Sequence, residues 1–281
     1  MSDDNAQMIA YWSGNGGAAW AAAAARMDRE LGSLGELAMH ALGPLAGAAI
    51  LDIGCGAGTT TCELARRAGP TGRAAGIDVS PTLLAIARSQ AAAAGTGNVT
   101  FTETDAQDLT PGAEFDAAFS RFGVMFFHDP VAAFATVRGC VRPGGALAFV
   151  CWQSLARNPL FSVAREAVEE VTQIRQPPPD GAEPGPFAFA DPDRVRQILA
   201  GAGWSGVQVQ PQEDELVLDE ESISERAAAA IAPGSAGGVL DGAPDEIRAQ
   251  VTERVRAGLL AFRRDGLVRF RRAVWLVTAR T

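Results

Sequence analysis

Gly54, Gly56 and Gly58, spaced two apart in Ala49-Ile50-Leu51-Asp52-Ile53-Gly54-Cys55-Gly56-Ala57-Gly58, strip the side chains from a loop that another group must approach. An apolar run at 49–53 enters the loop and a helical stretch at 59–68 leaves it, so the loop opens onto the positive end of a helix. Asp78 follows Gly58 by 20 residues and ends a second apolar run, where a carboxylate can accept from ribose hydroxyls. Asp105 follows a third run; it can accept from the exocyclic amine of adenine while the Ala106 amide donates to the ring. The plainer reading of Asp105 is a loop aspartate capping a short helix, and Asp108 reads as solvated. A fourth run ends in Ser120-Arg121-Phe122-Gly123-Val124-Met125-Phe126-Phe127-His128. Gly123 permits a close approach, and Met125 and Phe126 wall a pocket or join the core. His128, the one histidine near the strand ends, is of the residue type suited to general-base work; otherwise it is a surface residue at the head of the next helix. Tyr11 is the only tyrosine and a candidate for orienting a substrate.

These residues need elements to hold them. Strands are predicted at 49–53, 73–79, 99–104, 115–120 and 146–152, with helices at 59–68, 81–94 and 130–141 between them. Ser80 is the expected N-cap of the second of these helices, with Pro81 in its first position. Regular alternation with short connections implies a doubly wound, mostly parallel sheet of the α/β class. Before it, 6–20 is an aromatic segment with glycines at 14, 16 and 17, and 18–41 is mostly helical, with Gly32 and Gly35 as interruptions. After it come a helix at 158–174, a proline-rich loop at 176–186, a helix at 191–202 and a strand at 206–212. A helical stretch at 213–265, broken by glycines at 233–238, and a last strand at 272–280 complete the reading. The organisation expected is an N-terminal helical cap (1–44), a core (45–212 and 267–281) and an inserted helical lid (213–266).

The chain has 281 residues, a formal net charge of −9 and 47% hydrophobic residues, which fits a globular protein and not a general nucleic-acid binder. Arg263, Arg264, Arg269, Arg271 and Arg272 form a local basic stretch, read as the solvated flanks of a hairpin. The four cysteines make no C-x-x-C pair and only two histidines occur, so neither a metal site nor a disulfide framework is expected. No apolar run is long enough to span a membrane, and the acidic start lacks the pattern of a signal peptide, so the expected setting is the cytoplasm. All 24 basic residues are arginine. Without lysine, Walker-type phosphate loops and Schiff-base chemistry are excluded.

Leu51-Asp52-Ile53-Gly54-Cys55-Gly56-Ala57-Gly58, Gly76-Ile77-Asp78, Asp105-Ala106, Phe115-Asp116 and Arg142-Pro143-Gly144-Gly145, in that order, resemble the motifs of class I S-adenosylmethionine-dependent methyltransferases. The resemblance covers about residues 45–155, and the flanks around Tyr11-Trp12, Trp20 and Trp275 resemble the small-molecule branch related to quinone-pathway enzymes. It implies a Rossmann-like sheet of seven strands with the last antiparallel. It implies a cofactor set of Asp52, Gly54, Cys55, Gly56, Asp78, Val79, Ser80, Asp105, Ala106, Arg121 and Phe122, with S-adenosylhomocysteine as product. The methionine part lies along Gly54 and Gly56, Asp52 fixes the loop or reaches the amino group, Asp78 takes the ribose, and Phe122 stands beside the sulfonium. Trp12, Trp20, Met125, Phe126, Trp152 and Phe161 are expected around a small apolar or aromatic acceptor, under a lid made by 11–20 and 213–266.

Departures from sister families point the same way. Ser-Arg-Phe-Gly replaces the Asn/Asp-Pro-Pro-Tyr of amine methylases of DNA and protein, and no lysine is present for a ribose-methylase tetrad. The acceptor atom (O, N or C) and the oligomeric state stay open. Two other readings stand beside this one. A nicotinamide oxidoreductase requires Gly-x-Gly-x-x-Gly, but Thr59 occupies the place of its third glycine. A methyltransferase-like assembly protein without catalysis has no need of Asp78 and Asp105.

Overall fold

The computed structural model describes residues 3–281 except 178, 180, 182, 232–238 and 241. The expected glycine break at 233–238 therefore lies outside the described residues. The chain divides into two units, one of Met1–Trp152, Gly181–Pro211 and Val274–Thr281 and one of Gln153–Asp180 and Gln212–Ala273. The N-terminal helices thus belong with the sheet, and the second unit holds 153–180 in addition to the stretch read as a lid.

In the first unit, α1 (Asp3–Ser13) and α2 (Asn15–Ala41) precede β1 (Ala49–Ile53), α3 (Thr59–Ala68), β2 (Arg73–Asp78), α4 (Pro81–Ala93) and β3 (Val99–Glu103). Then follow β4 (Phe115–Arg121), α5 (Pro130–Cys140) and β5 (Val141–Trp152), and, beyond the second unit's first segment, α7 (Pro192–Gly201). The sheet runs β3-β2-β1-β4-β5-β8-β6, with β6 spanning Ser205–Leu218 and β8 spanning Leu267–Arg280. β1 pairs in parallel with β2 and β4, and β8 is antiparallel to β5, as the resemblance implied. β1 is buried along its whole length, which explains why it reads as a continuous apolar run rather than an alternating one. Right-handed crossovers carry α3 and α4 to one face and α5 to the other, because the strand order reverses between β1 and β4. That reversal opens a crevice beyond the carboxyl ends of β1 and β4, where ligands of doubly wound sheets bind.

Several expectations need correction. The aromatic segment runs through helix α1 and into the start of α2, and α2 continues unbroken through Gly32 and Gly35. Gly16 and Gly17 lie buried in the first turns of α2, where a Cβ on Gly17 would meet Trp12 O at 2.0 Å and Ser80 Oγ at 2.4 Å. β5 begins at Val141 because Pro143-Gly144-Gly145 makes an irregularity in the β4–β5 ladder rather than a stop. β6 continues to Leu218 and β8 starts at Leu267, so the ends of the stretch read as helical are strand.

The second unit contains α6 (Pro159–Thr172), α8 (Glu220–Ala230), α9 (Asp245–Leu260) and the two-residue β7 (Arg263–Arg264), which pairs with β8 in a hairpin. Its core gathers Val168, Leu216, Ile223, Val251, Val255, Leu259, Val268 and Phe270. The basic stretch is only partly solvated. Arg272 is buried and donates from Nε to Asp214 Oδ1 at 2.8 Å, while Arg269 and Arg271 pair with Glu215 and Glu213. Acidic Glu213-Asp214-Glu215 on β6 neutralises it, which removes the basic footprint a nucleic acid would need.

Candidate functional site

The three glycines of the first loop have left-handed backbones, with φ of 65°, 53° and 83° at Gly54, Gly56 and Gly58, but they serve different ends. Gly54 meets the chain itself, since a Cβ there would stand 2.8 Å from Gly123 Cα. Gly58 is the N-cap of α3 and packs on Ala87 and Phe101. Gly56 is the one whose face stays open: a Cβ would meet only Trp20 Nε1, at 3.8 Å. A ligand has room there.

Asp78 ends β2 beside that loop. Its Oδ2 accepts from Gly56 N at 2.8 Å and its Oδ1 from Ser80 N at 2.9 Å. Burial raises its pKa, and the backbone amides of Ser80, Gly56 and Val79 oppose that rise. The two bonds fix the plane of the carboxylate and leave each oxygen capacity for a further donor. Ser80 is buried, and its hydroxyl caps α4 by accepting from Leu83 N, as expected from sequence.

Asp52 lies within β1, fully buried. Its Oδ2 accepts from the hydroxyls of Thr60 and Thr61, both at 2.7 Å, so the carboxylate pins the first turn of α3 to the strand. Its Oδ1 has no hydrogen-bond partner among the described residues. Burial pushes the pKa up to about 6 against the opposing pull of Thr61, Thr60 and Arg121. Cys55 is buried, its thiol pushed up by burial and by the nearby carboxylates, so it is an inert packing residue under the loop.

Asp105 satisfies the plainer reading directly: its Oδ1 accepts from Gln107 N at 2.9 Å, capping a 3-10 turn at Ala106–Asp108. Its Oδ2 accepts from Asn5 Nδ2 of α1 at 3.0 Å and from Gln107 Nε2 at 3.3 Å. Ala106 is buried beside it and Asp108 is exposed. Ser13, at the end of α1, donates to Val79 O at 3.0 Å. Helix α1 is therefore tied to the ends of both β2 and β3.

The end of β4 carries backbone strain. Phe122 sits at φ 65°, an uncommon conformation for a bulky residue, and stacks on Trp152 with centroids 4.4 Å apart and planes 13° from parallel. Arg121 turns elsewhere: its Nη2 donates to Asp28 Oδ1 of α2 at 2.7 Å, while Asp28 Oδ2 accepts from Thr59 at 2.5 Å. The guanidinium so braces α2 against β4 and α3.

Of the expected acceptor residues, Trp12, Trp20 and Phe126 form one cluster. Trp12 meets Phe126 edge-on at 4.9 Å and Trp20 at 6.0 Å. Met125 is buried in the core, and its carbonyl accepts from Gly185 N. Phe161 lies in α6 of the second unit. Tyr11 packs its ring over Gly16 and edge-on to Trp12. His128 is half-buried and makes no hydrogen bond among the described residues; Asp129, not His128, caps α5. Sequence reasoning missed Asn5, Asp28, Gln107 and the Thr60–Thr61 pair. Only the threonines had a signal, standing two and three residues after the last loop glycine, Gly58.

Residues 50–145 match the family described as Methyltransferase domain. Aklanonic acid methyltransferase DauC of Streptomyces sp. (strain C5) is 35% identical over 109 residues, 38% of this chain and 49% of that protein. The ubiquinone/menaquinone biosynthesis C-methyltransferase UbiE of Hahella chejuensis (strain KCTC 2396) is 34% identical over 124 residues, 43% of this chain and 49% of that protein. The matches thus span about half the length of these curated relatives. The crystal structure of the YcgJ protein from Bacillus subtilis aligns over 90% of this chain and 98% of its own, with a TM-score of 0.55 at 18% identity. At that identity the likeness is one of fold.

Proposed function

We propose that this chain, which belongs through residues 50–145 to the class I S-adenosylmethionine-dependent methyltransferases, moves a methyl group from that cofactor to an O, N or C nucleophile of a small apolar or aromatic metabolite. The observation that carries the reading is the Asp78 carboxylate, held by Gly56 N and Ser80 N beside the open face of Gly56. A cofactor with a ribose and an amino-acid tail suits those groups: Asp78 for the ribose hydroxyls, Val79 and Ala106 for the ring faces, Asp105 for its amine. The unpartnered Oδ1 of Asp52 fits a cationic amine, which would offset the cost of a buried charge. When bound, the cofactor supplies a sulfonium-activated methyl group. The protein's part is to align the acceptor and keep water out.

Support for an apolar acceptor comes from the Trp12–Trp20–Phe126 cluster, and from relatives named for aklanonic acid and for ubiquinone/menaquinone biosynthesis. Half-buried His128, just beyond β4, is available to take a proton from an O–H or N–H nucleophile, and Tyr11 to orient it. The net charge of −9 and the paired arginines of β8 speak for a small molecule rather than a nucleic acid. Among the described residues no helix is long and apolar enough to cross a membrane. Four free cysteines suit a reducing compartment, and we place the chain in the cytoplasm.

The test is transfer of a labelled methyl group from S-adenosylmethionine to a pool of phenols, quinones and aromatic acids, with calorimetry of S-adenosylhomocysteine beside it. Asp78→Ala should weaken that binding by about 1.5–3 kcal/mol, tenfold to over a hundredfold. Unchanged affinity in the variant would remove the ribose role.

A further inference from the structure

Asn5 lies on the first turns of α1, yet it is only 8% exposed. Its carboxamide meets two partners at once. Nδ2 donates to Asp105 Oδ2 at 3.0 Å, and Oδ1 accepts from Gln107 Nε2 at 3.2 Å. Gln107 in turn is held by Asp105, through its backbone amide at 2.9 Å and its side chain at 3.3 Å. Asp105 and Gln107 thus present one acceptor and one donor side by side, and Asn5 fills both.

An adenine ring offers the same pattern along one edge, an exocyclic N–H donor next to a ring-nitrogen acceptor. Asp105 is the group that the cofactor reading assigns to the adenine amine. We propose that Asn5 is a built-in occupant of the purine subsite: it imitates the adenine edge, holds the Asp105–Gln107 pair when no purine is present, and must leave before one enters. The inference rests on the cofactor reading and adds two things to it. Gln107 becomes the second reader of the base, and α1 becomes a latch.

The latch has a place to turn. Gly14 separates α1 from α2, and no side-chain hydrogen bond caps α2 there. The other ties of α1 to the site are the exposed bond from Ser13 Oγ to Val79 O, which alone is weak, and the edge-on contact of Trp12 with Phe126 at 4.9 Å. A site that is free only part of the time binds with an affinity reduced by that fraction. Removing Asn5 therefore tightens purine binding, the opposite of what loss of a ligand-contacting residue does.

The experiment is calorimetry of S-adenosylhomocysteine on the full chain and three variants. Asn5→Ala empties the subsite, and Asn5→Asp places a carboxylate against Asp105; both should bind about two- to tenfold more tightly than the native chain, the worth of about one hydrogen bond. Gln107→Leu should bind more weakly by a similar factor. Equal or weaker binding by Asn5→Ala overturns the latch, for Asn5 then supports the site instead of filling it. Absence of binding by the native chain and all variants removes the cofactor reading and the latch with it.

Discussion

Gly54 and Gly123 touch backbone to backbone at the carboxyl ends of β1 and β4: a Cβ on Gly54 would stand 2.8 Å from Gly123 Cα, and one on Gly123 2.7 Å from Ile53 O. Ser120 closes the same clamp, its hydroxyl donating to Ile53 O at 2.8 Å and accepting from Gly123 N at 3.2 Å. The crevice at the reversal of strand order is therefore built on contact between two loops without side chains. Gly123 has φ −74°, which any residue adopts, so Gly123→Ala objects only through space, at about 1–3 kcal/mol. Gly54→Ala adds the strain of a left-handed backbone and should cost more. Chemical denaturation checks the order. An alanine at 123 that leaves the midpoint unmoved would show that the strand ends are not clamped.

The buried carboxyl of Asp52 makes stability depend on pH. Folding raises its pKa from 3.8 to about 6, so between these values the folded chain holds a proton that the unfolded chain has released. Stability then falls as pH rises from about 4 to about 6, by up to about 3 kcal/mol, and stays lowered above that range. Asp52→Asn keeps an oxygen for Thr60 and Thr61 and has nothing to ionise. Its advantage over the native chain should be small at pH 4 and grow to its full size by pH 7, read from urea denaturation at each pH. Parallel curves for the two proteins would show that burial does not govern this group.

Parts of this molecule were legible from sequence because their physics is local. A fully buried strand, a glycine-rich turn and a Ser-Pro helix start each announce themselves within a few residues, and 49–94 follows the sequence reading closely. Asp105 was legible as either of two things, and the structure shows it doing the plainer one. What stayed hidden depends on distant partners. Arg121 reads from sequence as one of the cofactor set, and nothing near it points to Asp28, 93 residues earlier, which takes its guanidinium. Nothing in the sequence around Gly16 and Gly17 shows that Tyr11 packs on the first and that Trp12 and Ser80 pack on the second. The acidic 213–215 segment reads as the start of a helical stretch until the arginines of β8 are set opposite it.

Those arginines differ sharply in worth. Arg272 is 4% exposed and grips Asp214 with both Nε and Nη2, whereas the Arg271 side chain is 69% exposed and reaches Glu213 at 3.4 Å. Arg272→Ala deletes a buried guanidinium and leaves Asp214, whose side chain is 25% exposed, without that partner, and should destabilise the second unit by about 1–3 kcal/mol. Arg271→Ala should cost less than about 1 kcal/mol. Replacing Arg272 and Asp214 together by Met and Leu should recover most of the loss, since the penalty comes from the unpaired charge. Denaturation followed by circular dichroism separates these cases; equal effects of the two single variants would contradict the burial argument.

The N-terminal segment should matter to turnover more than to folding. The buried side chains of α2 that join the core, Leu31, Leu34, Ala38 and Met39, all lie beyond residue 20. Residues 5–20 instead supply groups that overhang the strand ends: Asn5 on Asp105, Ser13 on Val79, Trp12 on Phe126, and the Trp20 indole over Gly56. Deleting residues 1–20 removes these and leaves the sheet, the glycine loop and Asp78 in place. The truncated chain should still bind S-adenosylhomocysteine. Its thermal midpoint should drop only slightly, at about 2–4 °C for each kcal/mol lost. Turnover on the acceptor found by the labelled-methyl assay should fall by more than about tenfold, because each misplaced reacting group and each admitted water raises the barrier. A truncated chain that methylates at the full rate would mean that the acceptor is held by other residues and that α1 governs only the entry of the cofactor.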